Sequence, residues 1–276
     1  MPKEAHHHDK LENIRAKVVV ATGLGGAGRE YPDYYAKFGK ENVTIVCWDD
    51  TVSDLDSHIA KLKENIPKEE PFIAVGHSMG GCIWLELLNR ENIPNQTGQV
   101  LVGCSRMVRG DQGVEFIMKR PWWFIWIMVL GLTTIFPIML PIWRKKTFDT
   151  YRELWRFVTK DGARKIHNQY NLTLKKLGHI SSVQNPDLPM VIVRLEKDTL
   201  VDDEDLEFTK SMFNNPREQI IETDALHLTE KFDHITVEKI ALEAEYLGLV
   251  SKKEKSPIDI EQFDLEIKKE EIAVTQ

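Results

Sequence analysis

The stretch PFIAVGHSMGGCIWLEL, Pro71–Leu87, decides the fold. An apolar run leads into Gly76-His77-Ser78-Met79-Gly80, and apolar residues at helical spacing follow. The pattern predicts a buried strand over 71–76, a sharp turn, and a helix over 80–92. A serine at such a turn is forced into a strained backbone conformation. Glycines flank it because only they let strand and helix approach so closely. The hydroxyl then projects above the carboxyl end of a sheet, at a helix N-terminus whose dipole favours developing negative charge.

Outward from this turn, strands alternate with helices. Ala16–Gly23 and Asn42–Asp50 read as strands, with a loop and short helix between them that ends near Gly39. Ser53–Pro67 carries Leu55, Ile59, Leu62 and Ile66 at helical spacing, opens on Ser53 as a capping residue, and stops at a proline. Gly98–Ser105 is a further strand. After a long interruption, 188–198, 204–213 and 217–227 read as strand, helix and strand, and Thr236–Gly248 as a last helix. Such alternation implies a mostly parallel sheet of about six strands covered by helices on both faces. The charged segment from Ser251 has no apolar periodicity and reads as a disordered or partner-binding tail over 251–276. Residues 1–15 read as a polar N-terminal tail.

A serine hydroxyl at neutral pH needs a general base, and the base needs an orienting acid. In a strand–serine–helix architecture these follow in the order serine, acid, histidine. Four histidines lie downstream: His167, His179, His227 and His234. His227 falls in the loop after the last predicted strand and is the expected base. His234 lies deeper, near the final helix, while His167 and His179 belong to the interruption. For the acid, Asp198 stands in the first turn after the strand VIVRL. Asp202, Asp203 and Asp205 read instead as helix-capping or surface carboxylates.

Acyl transfer also needs hydrogen-bond donors for the oxyanion. The amide of Met79 is one candidate. The second is Leu24, in the glycine-rich loop ATGLGGAGRE that follows the first strand. This loop also matches G-x-G-x-x-G at Gly23, Gly25 and Gly28, with Asp49 near the spacing of a dinucleotide-binding unit. That alternative leaves Ser78, Asp198 and His227 without a role.

Composition excludes other classes. The 276 residues are 42% hydrophobic and 29% charged, with a formal net charge of −7, which argues against a nucleic-acid binder. The N-terminal segment has no apolar signal-peptide core, and a cytoplasmic location is expected. Cys47, Cys82 and Cys104 form no metal-ligand spacing and read as buried thiols in a reducing compartment. His6–His8 read as part of the solvated tail, with at most weak metal affinity. No metal or organic cofactor is expected.

The segments VVVATGLGG, PFIAVGHSMGG, GQVLVGCS, PMVIVRLEKDTLVDDE and DALHLTE resemble, in order, the α/β-hydrolase superfamily, and in particular its lid-bearing esterases and monoacylglycerol-lipase-like members. The resemblance spans most of 16–105 and 186–250, expected to form the α/β-hydrolase core. It implies that Ser78 is the nucleophile, Asp198 the acid, His227 the base, and that Leu24 and Met79 donate to the oxyanion. Two positions depart from the family pattern. Thr22 stands where histidine usually precedes the loop glycine, and WDDTVSD replaces a proline- and glycine-rich stretch.

The resemblance further implies a helical lid over 106–185. Within it Pro121–Trp143 carries no charge and is flanked by Lys119 and Arg120 and by Arg144, Lys145 and Lys146. It is long enough to cross a bilayer, which takes about 20 apolar residues. A single crossing would, however, separate Ser78 from Asp198 and His227, and Gly131, Pro137 and Pro141 break the run. The expectation is an apolar lid whose Trp122, Trp123, Trp126 and Phe136 meet substrate, a membrane surface along 119–146, or a second copy of the chain. The expected function is hydrolysis of an ester with an apolar acyl or alkyl part through an acyl-enzyme. The alternatives are the same triad on a thioester, amide or carbon–carbon bond, and a non-catalytic membrane-associated binding protein of the same fold.

Overall fold

The structure is a computed structural model. It describes residues 17–24, 34–35, 38–48, 54–106, 119–127, 130–131, 160–173, 176–177, 180–196, 198, 201–221 and 247. Its strands are β1 (Lys17–Ala21), β2 (Val43–Val46), β3 (Phe72–His77), β4 (Gln96–Val102), β5 (Met190–Leu195) and β6 (Pro216–Ile221). They form one six-stranded sheet in the order β2-β1-β3-β4-β5-β6. Every pairing is parallel. Parallel neighbours need crossovers, and these are supplied by α1 (Leu55–Glu64), α2 (Met79–Arg90) and α4 (Asp203–Ser211). Between β4 and β5 lie helical residues 122–127 and 130–131, then α3 (Lys160–Asn168), which runs into a π-helical turn at Gln169–Thr173.

Strand alternation divides the core. Val19 and Ala21 of β1 face one layer with Leu62 of α1, Ile83 and Leu87 of α2 and Leu206 of α4. Val18 and Val20 face the other, with Tyr34, Val75, Val102 and Leu247. A strand buried on both faces reads as a continuous apolar run, which is why VVVA, FIAV and VLV were legible. Leu247, the described residue of the predicted last helix, is helical and packs on Gly98 of β4. From the end of the insertion, Leu177, Ile180 and Val183 join the first layer.

Several boundaries differ from expectation. The capping residue of α1 is Asp54 rather than Ser53: its carboxylate accepts from Ser57 N at 2.9 Å, and Ser57 Oγ accepts from Asp54 N at 3.0 Å. That reciprocal pair satisfies two amides that the first turn leaves over. β2 ends at Val46, before CWDD, because Trp48 turns inward. β4 begins at Gln96, two residues before the expected start at Gly98, where Thr97 Oγ1 donates to Phe72 O at 3.0 Å. Cys47 is half-buried, whereas Cys82 and Cys104 are buried.

Candidate active site

Ser78 follows the last residue of β3 and caps α2 with φ 48° and ψ −120°. Among the described residues it is the sole non-glycine with positive φ. Such a conformation costs on the order of 1–3 kcal/mol and persists only where the surroundings enforce it. Here Ser78 N donates to Val102 O of β4 at 2.9 Å, and Ser78 O accepts from Gly81 N at 2.9 Å. The glycines leave room for close packing. A Cβ at Gly81 would collide with Cys104 Sγ, and one at Gly80 with the carbonyls of Ala21 and Thr22. The helix start is thereby pressed against the exit of β1.

This contact brings the glycine-rich loop to the serine. A Cβ built on Gly23 would lie 3.4 Å from Ser78 Cβ. Leu24 is the next residue and packs, partly buried, on the core. Met79, wholly buried, opens α2, and the first amides of a helix have no intrahelical acceptor. Ser78, Met79 and the Gly23–Leu24 segment therefore share one end of the sheet, its carboxyl edge. This is the arrangement an oxyanion site requires.

Asp198 lies three residues past β5 at the same edge and is 8% exposed. Its charge is felt at Cys104, whose thiol packs on Gly81 of α2. Burial, then the adjacent Cys82, then the Asp198 charge, push the Cys104 thiol well above the ordinary thiol range. Cys82 is pushed up to about 12 by burial. Both thiols stay protonated at neutral pH, which leaves Ser78 as the nucleophilic candidate at the elbow. The neighbouring acids separate by role. Asp202 caps α4, accepting from Glu204 N at 2.8 Å, and the largely exposed Asp203 pairs with Arg194 at 2.7 Å. Asp205 departs from the surface reading. It is fully buried and accepts from Arg106 Nε at 3.0 Å. The Arg106 guanidinium also lies over the Phe208 ring, 3.8 Å from its centroid. A buried carboxylate needs such a partner, and this one ties the start of the insertion to α4.

His77, inside the elbow motif, faces the opposite layer. It is fully buried, and its Nε2 lies 3.1 Å from Tyr34 Oη. Burial pulls its pKa down to about 3, so the imidazole is neutral at working pH. His167 is half-buried in α3. His227, His234, His179, Phe136, Gly25, Gly28, Asp49 and the basic residues 144–146 lie outside the described residues. Trp122, Trp123 and Trp126 fall in the helical run 122–127, where Trp123 is 51% exposed and the other two are half-buried. No helix among the described residues is long and apolar enough to cross a membrane. Sequence reasoning passed over Tyr34, Trp48 and His58. Each stands beside polar residues in the sequence, Asp33, Asp49 and Ser57, so no local pattern marks its burial.

An all-parallel sheet with a strained serine between β3 and α2, met by a glycine loop from β1, defines an α/β hydrolase. The chain belongs to the α/β-hydrolase family described as serine aminopeptidase, S33, whose profile matches residues 18–227. Among curated proteins none matches the sequence. Solved structures share the fold. An esterase from Exiguobacterium antarcticum superposes with a TM-score of 0.56 at 16% identity, covering 84% of this chain and 91% of that one. A lipase-esterase related protein from Clostridium acetobutylicum gives 0.55 at 14% identity, with 85% and 96% covered. One of the epoxide hydrolases from metagenomes of hot environments gives 0.51 at 14% identity, with 75% and 84% covered. The fold thus carries more than one hydrolytic chemistry, and the reaction has to be argued from the site.

Proposed function

We propose that this chain is a serine hydrolase that cleaves an ester with an apolar acyl or alkyl part through an acyl-enzyme on Ser78. The observation that carries the reading is the backbone of Ser78, held at φ 48° against a loop whose Gly23 is in van der Waals reach. Strain of this kind clusters where chemistry uses it. In the proposed cycle, His227 takes the Ser78 proton as the hydroxyl attacks the carbonyl carbon, and Asp198 orients the imidazole. The oxyanion rests on the amides of Leu24 and Met79. His227 returns the proton to the leaving alcohol, and water repeats the sequence on the acyl-enzyme. Two facts support the assignment of acid and base: Asp198 is buried at the sheet edge that bears the elbow, and the family match runs through His227. The test is labelling by a fluorophosphonate. Wild type should react stoichiometrically and Ser78→Ala not at all. Absence of labelling in the wild type would leave a binding protein, and labelling that survives Ser78→Ala would place the nucleophile elsewhere.

The apolar preference rests on the insertion. Trp123, Ile127 and Leu130 are 51%, 51% and 36% exposed, in the helical residues 122–127 and 130–131. Lys119 and Arg120 stand exposed at its start. Contiguous exposed apolar side chains mark a binding or membrane face, and basic residues beside them suit anionic headgroups. We therefore place the proposed enzyme peripherally on a lipid surface, with this helix part of a lid above the site. A second copy of the chain covering the same stripe is the competing occupant.

A further inference from the structure

We infer that Trp48 and Thr22 are positioning residues, which together clamp the oxyanion loop beside Ser78; the inference rests on the serine-hydrolase reading. Both are fully buried. The indole Nε1 of Trp48 donates to Thr22 O at 2.7 Å. Thr22 in turn gives both its amide and its hydroxyl to Val46 O of β2, each at 3.2 Å. The residue that leads into the loop is thus tied twice to the end of β2 and once to Trp48 just beyond it. From the other side the start of α2 presses on it, since a Cβ at Gly80 would strike the Ala21 and Thr22 carbonyls.

The geometry has a direct consequence for the loop. A peptide unit is planar, so fixing the Thr22 carbonyl also fixes the direction of the Gly23 amide. Only the two backbone dihedrals of Gly23 then separate a pinned peptide from the one that carries the Leu24 amide. A glycine is the residue most free to turn there, so loss of the pin would be felt at Leu24. Trp48 is itself held in place. Its ring packs on His58, with centroids 4.9 Å apart and planes at 53°. His58 Nδ1 lies 2.6 Å from Asp54 O at the start of α1 and 3.3 Å from Thr173 Oγ1 in the π-helical turn of the insertion. The clamp therefore runs from the insertion through His58 and Trp48 to the loop. An indole arriving from the β2 exit and a threonine hydroxyl do the holding.

The experiment compares Trp48→Phe with wild type on p-nitrophenyl butyrate and with phenylboronic acid, which forms a tetrahedral adduct on an active serine. Phenylalanine keeps an aromatic ring against His58 and removes the N–H. Misplacing an oxyanion donor should cost somewhat less than deleting one, so kcat is expected to fall about ten- to a hundredfold. KM should stay within about threefold, because the loss is confined to the transition state. Boronate affinity should weaken by the same factor as kcat/KM. Thr22→Val should behave likewise and Thr22→Ser should restore the wild-type values; this pair carries the test if Trp48→Phe fails to fold. Wild-type kcat and boronate affinity in Trp48→Phe or in Thr22→Val would overturn the clamp while leaving the hydrolase reading intact. A wild type inert to both reagents would overturn the hydrolase reading and the clamp with it.

Discussion

Replacing Ser78 by glycine should leave a dead protein that is at least as stable as Ser78→Ala. Neither variant has a hydroxyl, so their difference isolates the backbone. At an ordinary position, alanine to glycine costs stability in two ways. The unfolded chain gains freedom worth about 0.4–1 kcal/mol. One buried methyl is also lost, worth about 0.8 kcal/mol. Together these make glycine worse by about 1.5 kcal/mol. At position 78 the native φ of 48° with ψ of −120° is penalised for any residue with a Cβ. Glycine escapes that penalty, which is about 1–3 kcal/mol. The terms nearly cancel or favour glycine, with a central value of about 0.5 kcal/mol in its favour. For a chain of this size that is a shift of about 1–2 °C upward in Tm. Urea denaturation of the two variants side by side reads the difference directly. Should Ser78→Gly prove less stable than Ser78→Ala by the full cost seen at an ordinary position, no strain is stored at the elbow, and the main support for the nucleophile is removed.

Within the proposed triad, His227→Ala should lower kcat about as far as Ser78→Ala, and Asp198→Asn somewhat less, since members of such a unit are not additive; an active His227→Ala beside an inactive His234→Ala would reassign the base. Acid should destabilise the fold through His77. Its folded pKa is depressed to about 3 against about 6.5 unfolded, so between those values the unfolded chain binds the extra proton and stability falls as pH drops. The slope should approach about 1.4 kcal/mol per pH unit below pH 6, with His58, also depressed by burial, adding in the same sense. Urea midpoints from pH 7 to 5 measure it, and an unchanged slope in a folded His77→Gln variant would exclude this source. The chain should float with anionic liposomes at low salt and less so at high salt, while Trp123→Ser/Ile127→Ser should stay in solution. Equal flotation of the two proteins would rule out the exposed stripe as the lipid contact, and a stable dimer lost in the double variant would give the stripe to a second copy.

What the sequence revealed and what it hid follow a physical division. Strands buried on both faces need apolar residues at every position, so β1, β3 and β5 announce themselves locally. The elbow announces itself because its glycines answer a local crowding of strand against helix. Boundaries governed by side-chain hydrogen bonds were less legible. Ser53 and Asp54 are both good capping residues, and only the reciprocal bond with Ser57 selects Asp54. Asp205 stood in an acidic first turn that suits a solvated helix N-terminus. Its burial depends on Arg106, 99 positions earlier in the chain, and no local pattern carries that information.

The two departures from the family pattern show the same limit at the site itself. In the sequence, Thr22 and the WDD stretch stand as two separate departures from the family pattern. They are 26 positions apart in sequence and bonded in space. The Trp48 ring is buried in the apolar layer against His58, and its N–H, cut off from water there, finds its acceptor in the Thr22 carbonyl. Placed on adjacent parallel strands, β1 and β2, the two residues meet because Ala21 and Val46 are in register at their ends. Residues that follow paired positions leave the sheet side by side, so a change at one exit is answered most directly at the other. On this view the two departures form one unit, joined by the bond from Trp48 Nε1 to Thr22 O.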